Sequence, residues 1–169
     1  KNETNKKEEA VLPLDGNKYR SILVVGENAI RRLTEGGGSS VLKVKKEVSP
    51  LAGLQSKFGD KIKYTMGYAS GKPAYDHEMK PDFNTDSLHQ EAVKQAADAD
   101  LIVFVGGLNK NNFQDCENAD RKSLALPFGQ SDLINDLLKV NKNMVVVLLS
   151  GNAVEMPWIN SVPSVLQAW

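Results

Sequence analysis

A long polar stretch with several charged side chains follows the apolar run Leu101–Val105. This stretch begins after two glycines and carries Asp115, Glu117, Asp120 and Arg121. In α/β proteins, the segment beyond the carboxyl end of a buried strand commonly carries the side chains that meet a ligand, and carboxylic acids there can transfer protons. The alternative is a solvated polar loop in which Asp120 and Arg121 form an ion pair. The residue types alone do not choose between the two.

A second candidate segment is the glycine run of residues 36–40, which follows the apolar run Ile22–Val25 and reads GGGSS. Glycine permits positive φ and lets the backbone approach a ligand closely. The run could be a flexible turn, a backbone nest for an anion, or the lining of a polar ligand cleft. The nest is the weaker hypothesis, because the run has neither a Gly-Lys-Ser/Thr ending nor GxGxxG spacing.

Short apolar segments predict the strands that position these two loops. They are Ile22–Val25, Ile62–Thr65, Leu101–Val105 and Met144–Leu149, with a further strand expected within Val162–Trp169. Continuous apolar runs are typical of parallel strands that are buried on both faces. The carboxyl ends of the predicted strands would then lie along one edge of the sheet.

The intervening segments carry helix signals. Ser49-Pro50 supplies an N-cap and a proline at the first helical position, and Gly59 ends that helix. Ser87 and Gln90 fit a capping box at the start of a second helix, and Ser131–Val140 has apolar residues at helical spacing. The alternation predicts an α/β fold, a three-layer sandwich with a mostly parallel sheet and helices on both faces.

Other segments are expected to lie outside this framework. Lys1–Glu9 is charged and lacks apolar periodicity, which predicts a solvated tail or linker. Val41–Val48 alternates in part between apolar residues and lysine, which predicts a short exposed strand or extended segment. Tyr68–Asn84 contains scattered glycine and proline and is predicted to be a surface excursion. Because the chain stops on Trp169 without a closing helix, we expect that the domain is cut before its natural end.

Composition argues against several classes of partner. The 21 basic and 21 acidic residues cancel, so we expect neither nucleic acid nor an anionic membrane as a partner. The apolar runs are far shorter than the ~20 residues of a membrane span. Cys116 is the single cysteine and is expected to be a small filler, while His77 and His89 lack zinc spacing. We therefore expect no disulfide, no metal and no cofactor.

Four motifs occur in a specific order along the chain. They are GGGSS after VVGENA, the strand-to-loop passage FVGG, the run ENADRKSLALPFGQ, and the closing VVVLLSGNAVEMPWINSVPSVLQAW. Together they resemble the second, α/β-sandwich domain of glycoside hydrolase family 3, the family of β-glucosidases and β-xylosidases. The resemblance covers nearly the whole chain from Leu12 onward. It implies an inter-domain linker over residues 1–11, the α/β-sandwich domain over residues 12–169, and an upstream TIM-barrel domain that this chain lacks.

The resemblance implies a retaining glycosidase whose active site is shared by two domains. The family pattern Glu-x-x-Asp-Arg places the general acid/base on Glu117, with Asp115 as the alternative, and the aspartate nucleophile on the barrel. Many relatives have glycine directly after the catalytic glutamate, where this sequence has Asn118. Asparagine tolerates left-handed φ better than most residues, so the turn could be kept. The remaining implied contacts, which shape the acidic loop or border the sugar, are Gly37, Gly38, Ser39, Asp120 and Arg121.

The resemblance also implies the activity of the whole protein. It would hydrolyse terminal β-linked sugars as an exo-acting β-glucosidase or β-xylosidase without a cofactor, and it would be secreted or periplasmic. The chain by itself would be inert, because half of the catalytic pair is missing. Two alternatives stay open: a non-catalytic flavodoxin-like module that binds a nucleotide or sugar through the glycine run, and a family member in which this domain is purely structural.

Overall fold

The computed structural model describes residues 1–2, 10–31, 33, 42–70, 83–110, 113–116 and 120–169. Within these ranges, five strands form one sheet, and every neighbouring pair is parallel. The strands are β1 (Ile22–Val25), β2 (Ile62–Thr65), β3 (Leu101–Gly107), β4 (Met144–Leu149) and β5 (Ser164–Ala168). The predicted strands are confirmed, and β3 extends through both of its glycines.

The strand order, β2-β1-β3-β4-β5, places β1 between β2 and β3. The chain therefore moves outward from β1 to β2 and then crosses to the other side of β1 to form β3. In sheets of this kind, ligands bind at the carboxyl ends of the strands where the direction of winding reverses. Here that point lies between β1 and β3, whose residues Val24 and Val103 are register partners. The loops after these two strands consequently leave the sheet side by side.

The helices are α1 (Pro50–Phe58), α2 (Thr85–Ala96) and α3 (Gln130–Val140). The predicted ends of α1 are confirmed: Ser49 Oγ accepts a hydrogen bond from the backbone N–H of Ala52 at 3.2 Å, and Gly59 closes the helix with φ of 57°. The predicted capping box at Ser87 is wrong. The N-cap is Asn84, whose side-chain oxygen accepts from the Ser87 N–H at 3.0 Å. No helix in the described ranges is long and apolar enough to cross a bilayer.

The core consists of two apolar clusters, one on each face of the sheet. Alternate residues of a strand point to opposite faces, so Leu23 and Phe104 join one cluster, while Ile22 and Val103 join the other. The first cluster contains buried residues of α2 and α3, and the second contains Leu51 of α1. Burying each large apolar side chain contributes about 1.5–3 kcal/mol. The predicted three-layer sandwich with helices on both faces is confirmed.

Three local predictions differ from the structure. Tyr68, Ala69 and Ser70 are buried rather than on the surface, while residues 71–82 lie outside the described ranges. Residues 42–48 are described and form no strand. The first two residues are not a free tail, because the terminal amino group of Lys1 donates to the Val165 carbonyl at 3.1 Å and Asn2 bridges to β5. Residues 3–9 of the predicted tail lie outside the described ranges.

Glycine is required where two of the loops leave the sheet. Gly26, directly after β1, has φ of 128°, and a Cβ atom there would lie 2.0 Å from the carbonyl oxygen of Val105. Gly107, at the end of β3, has φ of 116°, and its Cβ would lie 2.2 Å from the carbonyl oxygen of Leu149. Both distances are far shorter than a van der Waals contact, so these positions allow β1, β3 and β4 to end close together.

Candidate active site at the carboxyl edge of the sheet

A cleft of about 330 Å³ lies at the carboxyl edge of the sheet. Its walls come from the segments after β1, β3, β4 and β5 and from the segment before α1. Its lining includes Arg31, Asn109, Asp115, Ser150 and Gly151. Because four strand ends contribute to it, this cleft is where the fold places side chains that meet a ligand.

Asp115 attaches the acidic loop to the connection that follows β4. One carboxylate oxygen, Oδ2, accepts from the backbone N–H of Gly151 at 2.7 Å, and the other, Oδ1, accepts from the Asn152 side chain at 2.6 Å. The backbone N–H of Asp115 donates to the carbonyl of Asn109 at 3.0 Å. Both oxygens of this carboxylate are therefore engaged by donors of the protein.

Arg121 makes a second attachment to the same connection. Its Nη1 donates to the carbonyl oxygen of Ala153 at 2.5 Å. Its Nη2 is buried and has no hydrogen-bond partner among the described residues. Asp120 is exposed, and it forms no ion pair with Arg121, so the ion pair considered for a solvated loop is absent between these two described residues. The contact to Ala153 attaches Arg121 to the connection after β4, and its role in shaping the loop stays a prediction.

A buried polar cluster lies on the other side of the loop, between β1 and β2. Glu27 Oε1 accepts from Arg31 Nη2 at 2.8 Å, and Oε2 accepts from the backbone N–H of Ser70 at 2.8 Å and from the Ser70 hydroxyl. Asn109 Nδ2 donates to the Ser70 hydroxyl oxygen at 2.8 Å. The Glu27 side chain is 5% exposed and that of Arg31 is 17% exposed. Buried charges need such partners, because desolvation otherwise costs several kcal/mol.

Asn109 joins this cluster to the acidic loop. Besides its contact with Ser70, its backbone N–H donates to the side-chain oxygen of Gln114 at 3.2 Å. Its carbonyl accepts from Asp115, as described above. The start of the acidic loop is therefore held both by the sheet and by the cluster around Glu27.

Two tyrosines, Tyr64 and Tyr68, interact electrostatically with Glu27 of this cluster. Burial, and secondly the Glu27 charge, raise the pKa of Tyr64 to about 12. Burial raises the pKa of Tyr68 far above its ordinary range, against the opposing effect of the Asn28 N–H that donates to its phenolic oxygen. Both phenols thus remain protonated at neutral pH and can donate: Tyr64 to the Gly26 carbonyl at 3.4 Å and Tyr68 to that of Val105 at 3.5 Å.

The structure brings together only part of the predicted site. Glu117 and the glycine-run residues Gly37, Gly38 and Ser39 lie outside the described ranges, as does His77. Leu33, the last described residue before the glycine run, lines the cleft. Cys116, the single cysteine of the sequence, is half-buried. Among the described residues, no three His, Cys, Asp or Glu side chains are grouped to hold a metal ion.

Sequence reasoning missed Glu27, Ser70 and Asn109. A signal existed for Glu27, because an acidic residue directly after a buried strand and its glycine is out of place unless it is paired, and Arg31 follows four residues later. Ser70 gave no such signal, since it was predicted to lie in a surface loop. Asn152, the partner of Asp115, stands in a short polar turn and was likewise not singled out.

Fold and cleft together define an α/β-sandwich domain with a cleft at the carboxyl edge of a parallel sheet. The family model for the glycosyl hydrolase family 3 C-terminal domain matches residues 1–169. The chain belongs to this family. The matches do not favour the flavodoxin-like nucleotide-binding module that the glycine run left open.

Individual relatives agree with this assignment. A β-glucosidase of Bacteroides ovatus is 56% identical over 100% of this chain and 23% of its own length. The thermostable β-glucosidase B of Acetivibrio thermocellus is 34% identical over 97% of this chain and 20% of its own length. The solved structure of a family 3 β-glucosidase from Bifidobacterium adolescentis has a TM-score of 0.76 at 28% identity, covering 99% of this chain and 22% of that one. The chain thus spans about a fifth of the length of the relatives it matches.

Proposed function

We propose that this chain is the α/β-sandwich domain of a retaining, exo-acting β-glycosidase and contributes the general acid/base loop to an active site shared with an upstream barrel. The observation that carries the proposal is the 56% identity across the entire chain to a β-glucosidase. The names of the relatives favour β-glucosidase over β-xylosidase. We also propose the division into a linker over residues 1–11 and the domain over residues 12–169, with the barrel preceding it.

Within the acidic loop, Glu117 is the proposed acid/base, and Asp115 is the less favoured alternative. The acid/base must reach the glycosidic oxygen with a carboxyl group that is free to exchange a proton. The two carboxylate oxygens of Asp115 accept hydrogen bonds from Gly151 and Asn152, so both are already occupied by donors of the protein. Glu117 follows two residues later on the same loop and is the family's Glu-x-x-Asp-Arg position.

The mechanism follows from the chemistry of retaining glycosidases. The carboxylic acid of Glu117 protonates the departing glycosidic oxygen while a barrel carboxylate, ~5 Å away, attacks the anomeric carbon. The covalent glycosyl-enzyme intermediate is then hydrolysed by a water that the ionised Glu117 deprotonates. Gly37, Gly38 and Ser39 would border the sugar, and Asp120 and Arg121 would contact it from the loop. No metal or cofactor takes part in this scheme.

The test is a pair of substitutions in the full-length protein, Glu117→Gln and Glu117→Ala. Hydrolysis of an alkyl β-glucoside should fall by about 10²–10⁴-fold, because that is the usual contribution of a general acid/base. The leaving group of a dinitrophenyl β-glucoside needs little protonation, so Glu117→Ala should still form the glycosyl-enzyme intermediate from this substrate. Azide should then attack the intermediate in place of the activated water, restore turnover and yield a β-glucosyl azide. Glu155→Gln, at an exposed carboxylate of the neighbouring connection, is the matched control. Unaltered turnover of both Glu117 variants would assign the domain a purely structural role.

A further inference from the structure

The acidic loop is attached to one short segment on either side of Glu117. Before it, Asp115 accepts from Gly151 at 2.7 Å and from Asn152 at 2.6 Å. After it, Arg121 donates to Ala153 at 2.5 Å. The three contacted residues, 151–153, are consecutive and follow β4.

We propose that Asp115 is a positioning residue which, together with Asn152, sets the distance between Glu117 and the glycosidic oxygen. The inference rests on the acid/base role proposed for Glu117. Asp115 does not exchange protons with the substrate in this scheme. It fixes the position of the loop from which the acid/base side chain extends.

The segment that receives Asp115 is itself firmly held by the sheet. The Ser150 N–H donates to the Ala168 carbonyl at 3.1 Å, so β4 and β5 stay paired up to the point where the segment begins. The Ser150 hydroxyl donates to the carbonyl of Asn152 at 2.9 Å and accepts from Gln167 Nε2 at 2.8 Å. The backbone of Asn152 is therefore held by Ser150, so that the Asn152 side-chain amide has a fixed position. A positioning contact requires such support.

The loop is also constrained at the residues that precede Asp115. Asn109 accepts from the Asp115 N–H at 3.0 Å and donates its own N–H to Gln114 at 3.2 Å. The backbone of Asp115 is thus tied to β3 and its side chain to the connection after β4. Only one residue separates Asp115 from Glu117, so a shift of the Asp115 backbone is passed on to the acid/base.

The expected size of the effect follows from the geometry of proton transfer. The acid must lie about 2.6–3.2 Å from the oxygen that it protonates. A misplacement of about 1 Å can cost about 100-fold in rate. Loss of one attachment while the backbone contact to Asn109 remains should move the loop by less, so we expect about a 10-fold loss in kcat.

A double-mutant cycle in the full-length protein tests the proposal. The variants are Asp115→Ala, Asn152→Ala and the double substitution, with Asp98→Ala and Asn160→Ala as matched controls at exposed positions outside the cleft. Thermal unfolding of each variant verifies the fold. For every variant, kcat and KM are measured on an alkyl β-glucoside and on a dinitrophenyl β-glucoside, with and without azide.

Positioning predicts a shared effect of the two single substitutions. Asp115→Ala removes the contacts to both Gly151 and Asn152 and should lower kcat on the alkyl glucoside about 10-fold with little change in KM. Asn152→Ala leaves the Gly151 contact and should lower kcat by less. The double substitution should cost about the same as Asp115→Ala alone, because the contact between the two side chains is then removed only once. Asp115→Asn, which keeps one accepting oxygen, should lose less than Asp115→Ala. Azide should form no β-glucosyl azide with these variants, because Glu117 still serves as the base.

Three outcomes would overturn the proposal. Independent, multiplicative losses would mean that Asp115 and Asn152 do not act through one contact. Wild-type kcat in both single variants would mean that the contact sets no catalytic distance. Azide rescue of Asp115→Ala with full activity in Asn152→Ala would make Asp115 the acid/base. Failure of the proposed function is distinguishable, because it appears as unaltered turnover in the Glu117 variants.

Discussion

Replacing Glu27 by glutamine should destabilise the chain, because each oxygen of the buried carboxylate accepts hydrogen bonds from a different residue. Oε1 accepts from Arg31 at 2.8 Å, and Oε2 accepts from the Ser70 N–H at 2.8 Å and from its hydroxyl. Glutamine has almost the same shape but only one accepting oxygen. Its NH₂ group must point either at the Arg31 guanidinium or at the Ser70 N–H, so one donor faces another in either orientation.

The magnitude follows from the burial of the two partners. Removing one member of a fully buried ion pair costs about 3–5 kcal/mol, because the remaining charge loses its compensation. The Arg31 side chain is 17% exposed and retains some access to water, which lowers the expected cost of Glu27→Gln to about 2–3 kcal/mol. For a chain of 169 residues, each kcal/mol corresponds to about 2–4 °C, so Tm should fall by about 4–12 °C.

Urea and thermal unfolding of Glu27→Gln measure this cost, with Glu155→Gln as the matched exposed control. A double-mutant cycle isolates the contribution of this pair: Glu27→Gln combined with Arg31→Gln should cost less than the sum of the two single substitutions, because the contact between the two side chains is then removed only once. A Glu27→Gln variant whose free energy of unfolding lies within about 0.5 kcal/mol of the control would refute the reasoning, since that is the range of ordinary surface substitutions.

Two further predictions follow from the site. Tyr64 and Tyr68 have folded-state pKa values above the ordinary 10.0, so their contribution to stability is complete below pH 10 and is lost as the pH rises through about 12 for Tyr64. Phenolate absorbance should show fewer of the four tyrosines ionising near pH 10 in the folded chain than in urea, and identical titrations would contradict this. The 169-residue chain alone should not hydrolyse an aryl β-glucoside, because the proposed nucleophile lies on the barrel; turnover near that of whole enzymes would exclude the shared site.

The centre of the sheet was predictable because most residues of β1, β3 and β4 are buried, on both faces of the sheet. The apolar runs Ile22–Val25 and Met144–Leu149 contain no polar residue, so they are recognisable in the sequence as the strands β1 and β4. The helix α1 was equally clear, since Ser49, Pro50 and Gly59 act through local geometry that does not depend on the rest of the fold.

Helix starts with competing caps were less predictable. Asn84 and Ser87 are both good N-cap residues, and Ser87 also has Gln90 three residues on. In the structure, Asn84 caps the helix by accepting from the Ser87 N–H, which places Ser87 inside the first turn. The choice depends on how the chain enters the helix, and the local pattern does not contain that information.

The contacts that hold the acidic loop could not be predicted from local patterns. The partners of Asp115 and Arg121 at 151–153 are more than 30 residues away in sequence. Ser70 and Glu27 are 43 residues apart, and the burial of Ser70 depends on that pairing. Periodicity and capping are local signals, so polar pairs between distant loops do not appear in them.

The position of β3 in the middle of the sheet explains why those distant contacts matter. A loop that leaves a central strand lies between the loops of both neighbouring strands, and each neighbour can hold it. On the side of β1, Asn109 donates a hydrogen bond to the Ser70 hydroxyl, which in turn donates to Glu27. On the side of β4, Asp115 reaches Asn152. The described part of the acidic loop is therefore held by the segments after three strands, and we expect substitutions at Glu27 or Asn152 to lower the activity proposed for the loop even though neither residue needs to touch the sugar.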